Sequence, residues 1–346
     1  MGEPLFGVSV ACTLTDLSSA GEARRKALAL STGLGASEEL AGRIALVTTE
    51  LAGNVVRHGG GGEVILRSLP GTGVEVLALD RGPGMADLER CLRDGHSTGG
   101  TAGYGLGMVP RLATEWDAFT APGKGTVVLA RFWERKAPAR PRFLYGVVCR
   151  PKPGEDVCGD GWAAVEHAGT LQIAVADGLG HGPEAAKAAR AALEVFSSAG
   201  PRTASSAALI DVLERAHGAL RAFRGAAMTL ATIDPGHHLV HVLGAGNVAG
   251  SIIPRDGPAR GVMVQNGTLG AAHRRSQPYQ YPWTHSALLL LHSDGLQTHW
   301  KLDPYPGLVQ RDPSVIAAVL YRDFKRGTDD VTVFAVREED RWTSAS

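Results

Sequence analysis

Residues 174–182 read AVADGLGHG, an apolar run that ends in Asp177 and is followed by glycine at alternate positions. A short apolar run bounded by turn-forming residues is typical of a buried strand, so Asp177 is expected at a strand end. Acidic residues beside an apolar strand recur in GDGW (Asp160), LLHSDGLQ (Asp294) and GTDDVTVF (Asp329 and Asp330). A single Asp-Gly pair is more often an ordinary turn. Four such places in one chain suggest carboxylates that converge at the rigid ends of strands.

Carboxylates are hard oxygen ligands, which favours Mg²⁺ or Mn²⁺ over zinc at such a site. The chain offers no convincing Cys or Ser nucleophile triad.

The composition suggests two globular domains and argues against nucleic acid or an anionic membrane as partner. The chain has 346 residues, a length typical of two domains. Its 35 basic and 35 acidic side chains give a formal net charge of zero, so it has no excess of positive charge that would attract nucleic acid or an anionic membrane. No apolar run reaches about 18 residues and no signal-peptide pattern is present. The four cysteines form no CxxC pair and are expected to be reduced thiols. We therefore expect a cytoplasmic protein that does not enter a membrane.

A basic, proline-containing segment divides the chain. RKAPARPR, residues 135–142, separates two apolar runs and has the composition of an exposed linker. The predicted organisation is an N-terminal domain over 1–134, the linker, a C-terminal domain over 143–337 and a polar tail over 338–346.

Upstream of the linker, helices are predicted at 21–33, 37–57 and 105–115, strands at 63–69 and 73–80, and a final hairpin within 119–133. Downstream, two Ala-rich helices at 183–197 and 205–223 and a helix at 313–324 accompany many strands. These strands are predicted at 143–149, 162–167, 171–176, 226–234, 238–244, 248–253, 261–265, 287–292 and the closing VTVFAV. Both halves are predicted to be α+β. The N-terminal half is expected to be an α/β sandwich, and the C-terminal half a β-sandwich flanked by helices.

Glu50 and Asn54 lie four residues apart on the predicted second helix, so their side chains share one face. A carboxylate and a carboxamide there can act as general base and magnesium ligand, or they can belong to a solvent-facing polar stripe. Downstream, DRGPGM places Asp80 at a strand end, where it can bond an exocyclic amine above a tight turn. GYGLGM then leads into a helix and can bring backbone N–H groups to phosphates.

In order, ELAGNVVRH, DRGPGM, GYGLGM and the GKGT loop at 123–126 resemble the boxes of the GHKL (Bergerat) ATP-binding superfamily, closest to RsbT-like and RsbW-like serine kinases and anti-sigma factors. The resemblance covers about residues 8–134. It implies ATP with Mg²⁺, Asn54 as the metal ligand, Asp80 as the adenine reader and Glu50 as the candidate base. It also implies that these further residues line the nucleotide pocket: Gly82, Gly84, Gly103, Gly105, Gly107 and Thr126.

The acidic motifs, in their order, resemble the SpoIIE-like branch of the PPM-type serine/threonine phosphatases, over about residues 143–337. The resemblance implies two Mn²⁺ or Mg²⁺ ions, with Asp177 bridging them and the Gly178 carbonyl assisting. Asp160, Asp294 and Asp329 would complete the ligand set, and Asp330 occupies the second acidic position of the last motif. One departure is that no phosphate-binding arginine is obvious, and Arg142 and Arg150 are the candidates.

The resemblances together imply a bacterial stress-response switch regulator that dephosphorylates a small partner of the STAS (anti-anti-sigma) type, with a sigma factor or another switch protein as a further partner. Two alternatives stay open. The N-terminal domain can bind ATP only as a sensor, or the whole chain can be an anti-sigma or scaffold protein with degenerate sites.

Overall fold

The computed structural model describes residues 9–92, 105–134, 141–200, 205–271, 273 and 276–339. The helices of this described part are α1 (Leu17–Gly33), α2 (Glu38–Gly59), α3 (Leu88–Leu92), α4 (Met108–Leu112), α5 (Gly182–Ser198), α6 (Ser206–Ala219) and α7 (Pro313–Phe324). None of these helices is long and apolar enough to cross a lipid bilayer.

The strands of the N-terminal half are β1 (Ser9–Leu14), β2 (Gly62–Leu69), β3 (Gly73–Asp80), β4 (Glu115–Thr120) and β5 (Thr126–Phe132). Those of the C-terminal half are β6 (Phe143–Arg150), β7 (Asp160–His167), β8 (Thr170–Gly178), β9 (Ala226–Asp234), β10 (Leu239–Ala245), β11 (Ala249–Ile253), β12 (Arg260–Gly261), β13 (Tyr279–Pro282), β14 (Leu288–His292) and β15 (Val331–Glu338).

The N-terminal sheet is antiparallel, in the order β1-β2-β3-β5-β4. Alternate residues of its strands, such as Val74 and Val76, pack with the apolar faces of α1 and α2 into one core. Helix α2 begins where the Ser37 hydroxyl accepts the Leu40 N–H at 3.2 Å. It ends at Gly60, whose φ of 69° is the left-handed conformation that glycine favours at a helix end.

The opposite face of this sheet is also buried, because residues 301–322 pack on it. Glu75 is fully buried there and accepts hydrogen bonds from Arg67 Nε at 3.0 Å and Arg131 Nε at 2.8 Å. Arg131 in turn makes a two-pronged ion pair with Asp312, at 2.7 and 2.8 Å, and Ser314 Oγ donates to Glu75 at 2.8 Å. The segment is therefore tied to the sheet by a buried, fully paired network.

The C-terminal half is a sandwich of two antiparallel sheets, in the orders β13-β10-β9-β8-β7 and β12-β11-β14-β15-β6. Their facing side chains, among them Ile173, Ile233, Leu289 and Phe334, form the core between the sheets. Helices α5 and α6 cover the outer face of the first sheet through a second apolar cluster. The predicted β-sandwich flanked by helices is confirmed.

The structure differs from the predicted elements in several places. Helix α1 begins at Leu17 rather than 21, because Asp16 caps it by accepting the Ser19 N–H at 2.9 Å. The helix predicted at 105–115 is only Met108–Leu112, since β4 already begins at Glu115. The strand predicted at 261–265 is reduced to Arg260–Gly261, and the Met263 N–H is bonded by the Tyr281 hydroxyl instead. Strands β1 and β13 were not predicted.

The described chain divides into two compact units that do not follow one cut along the sequence. One contains residues 141–300 and 323–339, and the other contains 9–134 and 301–322. Residues 301–322, grouped with the C-terminal domain in the sequence analysis, thus lie in the N-terminal unit. Residues 135–140 of the predicted linker and 340–346 of the predicted tail lie outside the described residues.

The buried Glu75 network makes the stability of the N-terminal unit depend on pH. Burial by itself would raise the pKa of Glu75, but the Arg67 and Arg131 guanidinium groups outweigh it and hold the pKa at about 2, against 4.5 for a free side chain. Ionised Glu75 thus stabilises the fold above about pH 4.5, and this contribution, about 3 kcal/mol, is lost as the pH falls toward 2.

Thermal unfolding of the full chain and of Glu75→Gln between pH 6 and pH 3 tests this. We expect the variant to be less stable at pH 6 and the difference in Tm of the N-terminal transition to shrink below about pH 4.5. A difference that stays constant over this range would contradict the assignment.

Candidate metal centre and nucleotide site

Two of the acidic residues are brought together by strand pairing. Asp160 opens β7 and Asp177 stands one residue before the end of β8, and the antiparallel register makes them direct partners. The Gly178 N–H donates to the Gly159 carbonyl at 3.1 Å just beyond them. A side chain on Gly178 would collide with the Ala185 carbonyl, so glycine is required where α5 meets the strand end.

The second sheet delivers the other acidic motifs to its own edge. Asp294 follows β14, and Asp329 and Asp330 precede β15, which pairs with β14. The backbone at Gly295 lies so close to the Asp330 carbonyl that any β-carbon there would collide with it. The Asp-Gly pair at 294–295 is thus needed for close approach of the two chain segments and not only for a turn.

Hydrogen bonds join the acidic residues of the two sheets. Ser293 Oγ donates to Asp160 Oδ2 at 2.6 Å and itself accepts the Thr332 N–H at 2.9 Å. Asn247 Nδ2, in the turn between β10 and β11, donates to Asp294 Oδ2 at 2.7 Å. The Lys152 N–H donates to Asp330 Oδ1 at 2.9 Å.

The carboxylates lie close enough to repel one another. Burial raises the pKa of Asp160 well above its usual range, and the charge of Asp177 adds to this. Burial, followed by the charges of Asp294, Asp329 and Asp330, raises the pKa of Asp177 to about 7, although a hydrogen bond from Asn247 opposes the shift. All five predicted acidic residues therefore belong to one electrostatic cluster.

The cluster has the donors that a hard divalent cation requires. Asp160 Oδ1 is buried and accepts no hydrogen bond from the described residues. Among the described residues, no three His, Cys, Asp or Glu side chains are already drawn together as a metal cage. The donors of the cluster are oxygen atoms, the ligand type that Mg²⁺ and Mn²⁺ prefer.

The loop after Asp177 presents polar groups at the rim of this cluster. His181 Nδ1 lies 2.7 Å from Glu155 Oε1 and stands at the beginning of α5. A β-carbon on Gly180 would lie 3.6 Å from an Arg224 guanidinium nitrogen, so this exposed cation lies over the loop. Arg142, a sequence-based candidate for phosphate binding, is instead paired with Glu338 at 2.8 Å.

The N-terminal unit brings Asp80, Gly82 and Thr126 to one point. Asp80 ends β3 as the partner of Thr126 in β5, and its Oδ1 accepts the Gly82 N–H at 2.8 Å and the Thr126 N–H at 3.2 Å. Burial raises the pKa of Asp80, and these backbone donors oppose the shift. The carboxylate is thus oriented by the backbone at the end of its strand.

Glycines let helix α2 and a neighbouring loop pack directly against this turn. A β-carbon on Gly82 would lie 2.7 Å from Gly59 Cα, at the end of α2. Gly84 has a φ of 68°, and a side chain there would collide with the Ala121 carbonyl. The Gly125 N–H donates to the Gly82 carbonyl at 3.1 Å, which fixes the two loops together.

Glu50 and Asn54 are both half-buried on α2. With a rise of about 1.5 Å per residue, Asn54 lies about 7.5 Å along the helix axis from Gly59, and Glu50 lies about 13.5 Å from it. Gly105 and Gly107 directly precede α4, whose end is held by Arg43 Nε donating to the Leu112 carbonyl at 3.2 Å. Gly103 lies outside the described residues.

Two side chains of the acidic cluster were missed by the sequence analysis. Ser293 belongs to the quoted SDG motif, but its neighbour Asp294 alone was singled out. Asn247 lies in GAGNVAG, where a polar residue follows an apolar strand in a glycine-rich turn, and that position was the available signal.

Comparison with known proteins identifies a family for each half of the chain. The family model "Stage II sporulation protein E (SpoIIE)" matches residues 167–339, half of the chain. The chain belongs to the SpoIIE family. Asp177, Asp294, Asp329 and Asp330 of this SpoIIE chain lie within the matched range, and Asp160 lies before it.

A second family model, "Histidine kinase-like ATPase domain", matches residues 14–132 of the SpoIIE-family chain. The serine/threonine-protein kinase RsbT of Bacillus subtilis (strain 168) is 34% identical over 96 residues, which are 27% of this chain and 72% of RsbT. A kinase-type ATP-binding domain and a SpoIIE phosphatase domain are therefore joined in one polypeptide, as the sequence predicted.

Solved structures resemble the chain as well. One, from work on the bacterial stressosome as a modular system adapted to control secondary messenger signalling, has a TM-score of 0.52 at 28% identity and covers 57% of this chain and 100% of its own. RsbX in complex with magnesium has a TM-score of 0.48 at 19% identity, covering 58% of this chain and 98% of its own.

The raised pKa of Asp177 predicts that metal binding weakens in mild acid. A cation held by Asp177 must displace the proton of this carboxyl group, so with a pKa of about 7 the apparent Mn²⁺ affinity should fall at least about fivefold from pH 7 to pH 6. Isothermal titration calorimetry of the full chain at pH 8, pH 7 and pH 6 measures this. An affinity that does not change between pH 8 and pH 6 would rule out Asp177 as a titrating ligand.

Proposed function

We propose that this SpoIIE-family protein removes phosphate from a phosphoserine or phosphothreonine of a small partner protein, in a reaction that depends on Mn²⁺ or Mg²⁺. The cluster of five mutually repelling carboxylates at the strand ends is the observation that carries the proposal. Asp160 and Asp330 are buried and the other three are half-buried, so the negative charge they share is costly unless cations neutralise it.

In this proposal Asp177 and the Gly178 carbonyl would help to hold two divalent ions. Asp160, Asp294 and Asp329 complete the ligand set, with Asp330 beside them. When bound, two divalent ions activate water and neutralise phosphate oxygens. Ser293 and Asn247 orient the carboxylates of Asp160 and Asp294, and this positioning preserves the geometry of the site.

The substrate phosphate needs further positive charge at the open side of the cluster. Arg224 is exposed over the Gly180 loop and meets this need better than Arg142, which is occupied by Glu338. A guanidinium can hold a phosphate through two parallel hydrogen bonds and so align it for attack by water. We assign this role to Arg224.

We propose that the N-terminal unit binds ATP with Mg²⁺. Asp80 would accept the exocyclic amine of adenine, with Gly82, Gly84 and Thr126 around the ring. Gly103, Gly105 and Gly107 would approach the phosphates, and Asn54 would hold the ion. Glu50, one turn before Asn54, would take the proton from a substrate hydroxyl, since phosphoryl transfer needs little beyond positioning and charge neutralisation.

The partner that we propose is a STAS-domain protein of the anti-anti-sigma type in the cytoplasm, with a sigma factor or another switch protein as a further partner. The likeness to RsbT and to a stressosome structure supports this partner class. The neutral overall charge gives no reason to invoke nucleic acid or a membrane.

Asp177→Asn should abolish the phosphatase reaction while leaving the fold intact. The substitution removes one negative charge at nearly unchanged volume, and we expect phosphopeptide turnover with Mn²⁺ to fall on the order of a hundredfold or more. Release of inorganic phosphate from a phosphoserine STAS protein is the measurement.

Asp256→Asn is the matched control, because Asp256 is an exposed aspartate in the turn after β11. It should keep full turnover. An active Asp177→Asn protein would refute the metal-dependent mechanism, and a wild-type protein without turnover under saturating Mn²⁺ would favour a scaffold.

Two variants distinguish a kinase from an ATP sensor in the N-terminal unit. Glu50→Ala should retain ATP binding and lose label transfer from ATP to the STAS protein by about a hundredfold, the usual contribution of a general base. Asp80→Asn should weaken ATP binding itself. For the wild type and both variants, the measurements are the equilibrium affinity for a fluorescent ATP analogue and the rate of radioactive phosphate transfer to the STAS protein.

If wild-type protein binds ATP but transfers no label to any tested STAS protein, the kinase role is refuted and the domain is a sensor. If Glu50→Ala transfers label at the wild-type rate, Glu50 is not the base.

A further inference from the structure

We propose that Cys149 and Cys158 are a redox-modification site, in which a peroxide-class oxidant joins the two thiols as a disulfide and thereby weakens metal binding at the acidic cluster. Formation of the bond does not depend on the proposed phosphatase function, whereas its effect on metal binding rests on the metal centre proposed for that function.

The two sulfur atoms are already in contact. Cys149 Sγ, in β6, lies 3.6 Å from Cys158 Sγ, two residues before β7 begins. A disulfide has a sulfur–sulfur distance of about 2.05 Å, so the atoms need to approach by roughly 1.5 Å. Both side chains are half-buried rather than sealed in the core, so a small oxidant can reach them.

The pair differs from the other cysteines of the described chain. Cys12 is buried in the core of the N-terminal unit and Cys91 lies on the short helix α3. Neither lies in the unit that contains Cys149 and Cys158. Oxidation to a disulfide is therefore expected selectively between Cys149 and Cys158.

The pair is bonded directly to the segments that carry the acidic residues. The Cys149 thiol donates to the Asp160 carbonyl at a sulfur–oxygen distance of 3.8 Å, and Thr332 Oγ1 donates to Cys149 Sγ at 3.2 Å. Cys158 is separated from Asp160 only by Gly159. A β-carbon on Gly159 would lie 2.6 Å from Asp330 Oδ2, so this segment has little room to move without displacing a carboxylate.

The chemistry balances with a peroxide as oxidant. One thiol sulfur attacks a peroxide oxygen, the oxygen–oxygen bond breaks, and a sulfenic acid and one water form. The second thiol sulfur then displaces the sulfenic hydroxyl group, which leaves as a second water, and the sulfur–sulfur bond forms. The two sulfurs supply the two electrons that reduce the peroxide, and a thiol reductant reverses the reaction.

Closure of the disulfide changes the acidic cluster in two ways. Cys149 no longer carries the S–H that bonds the Asp160 carbonyl. The bond also draws Cys158 toward β6, and with it the segment that leads into Asp160, whose carboxylate is held at 2.6 Å by Ser293. Displacement of a ligand by such a change in its supporting contacts typically costs about tenfold or more in metal affinity.

The experiment uses the full chain, freed of metal and treated with hydrogen peroxide. Remaining thiols are then blocked with N-ethylmaleimide, and the protein is digested for peptide mass spectrometry and titrated with Mn²⁺ by calorimetry. We expect a peptide pair linked through Cys149 and Cys158, and a Mn²⁺ affinity about tenfold weaker that dithiothreitol restores.

Cys158→Ser keeps a polar side chain of similar size and should lose the response to peroxide. Cys91→Ser is the matched control and should respond like the wild type. The absence of the Cys149–Cys158 link in wild-type protein would overturn the site, and an unchanged Mn²⁺ affinity in fully linked protein would overturn its effect on the cluster. Both readouts stand even if no phosphatase turnover is found, so the two proposals fail separately.

Discussion

Repulsion among carboxylates that the fold holds close together is the constraint around which the C-terminal unit is organised. Asp160 and Asp177 are held side by side by strand register, and the Asp330 carbonyl lies against Gly295, beside Asp294, so close that no side chain fits. The backbone positions of Asp160 and Asp177 cannot separate without loss of their strand pairing. Burial and the neighbouring charges together raise the pKa of Asp177, and a proton or a divalent cation can relieve the repulsion. The strand register and the close packing at Gly178 and Gly295 both hold this electrostatic arrangement in place.

The aspartate of the other unit contrasts with this arrangement. Asp80 also ends a strand and is also buried, but two backbone N–H groups point at its Oδ1. Hydrogen-bond donors orient a carboxylate for recognition, whereas neighbouring carboxylates prepare one for a cation. The same residue type at the same kind of position thus has two different chemistries, and its surroundings decide between them.

Much of this organisation could be predicted from the sequence. Apolar runs bounded by glycine and aspartate predicted most strands of both halves. The order of the acidic motifs indicated that their carboxylates share one metal site. Local patterns failed where long-range contacts decide. Strand β13 is a short edge strand ending in a proline, and Asn247 is a turn residue whose partner, Asp294, lies far along the chain. No local pattern could show that residues 301–322 pack on the N-terminal sheet, since Arg131 and Asp312 are paired across 181 positions.

Because of that pairing, the two units do not correspond to two consecutive stretches of the sequence. The backbone leaves one unit a few residues after Asp294, covers the face of the N-terminal sheet that contains Glu75, and returns a few residues before Asp329. A fragment ending near residue 140 would lack this cover, so Glu75 would lose Ser314 and Arg131 would lose Asp312, while Leu77 and Leu129 on the same face would meet water. The kinase-type domain of this protein is thus completed by a segment of polypeptide that lies within the sequence of its phosphatase half, so a cut at the linker would not separate two complete domains.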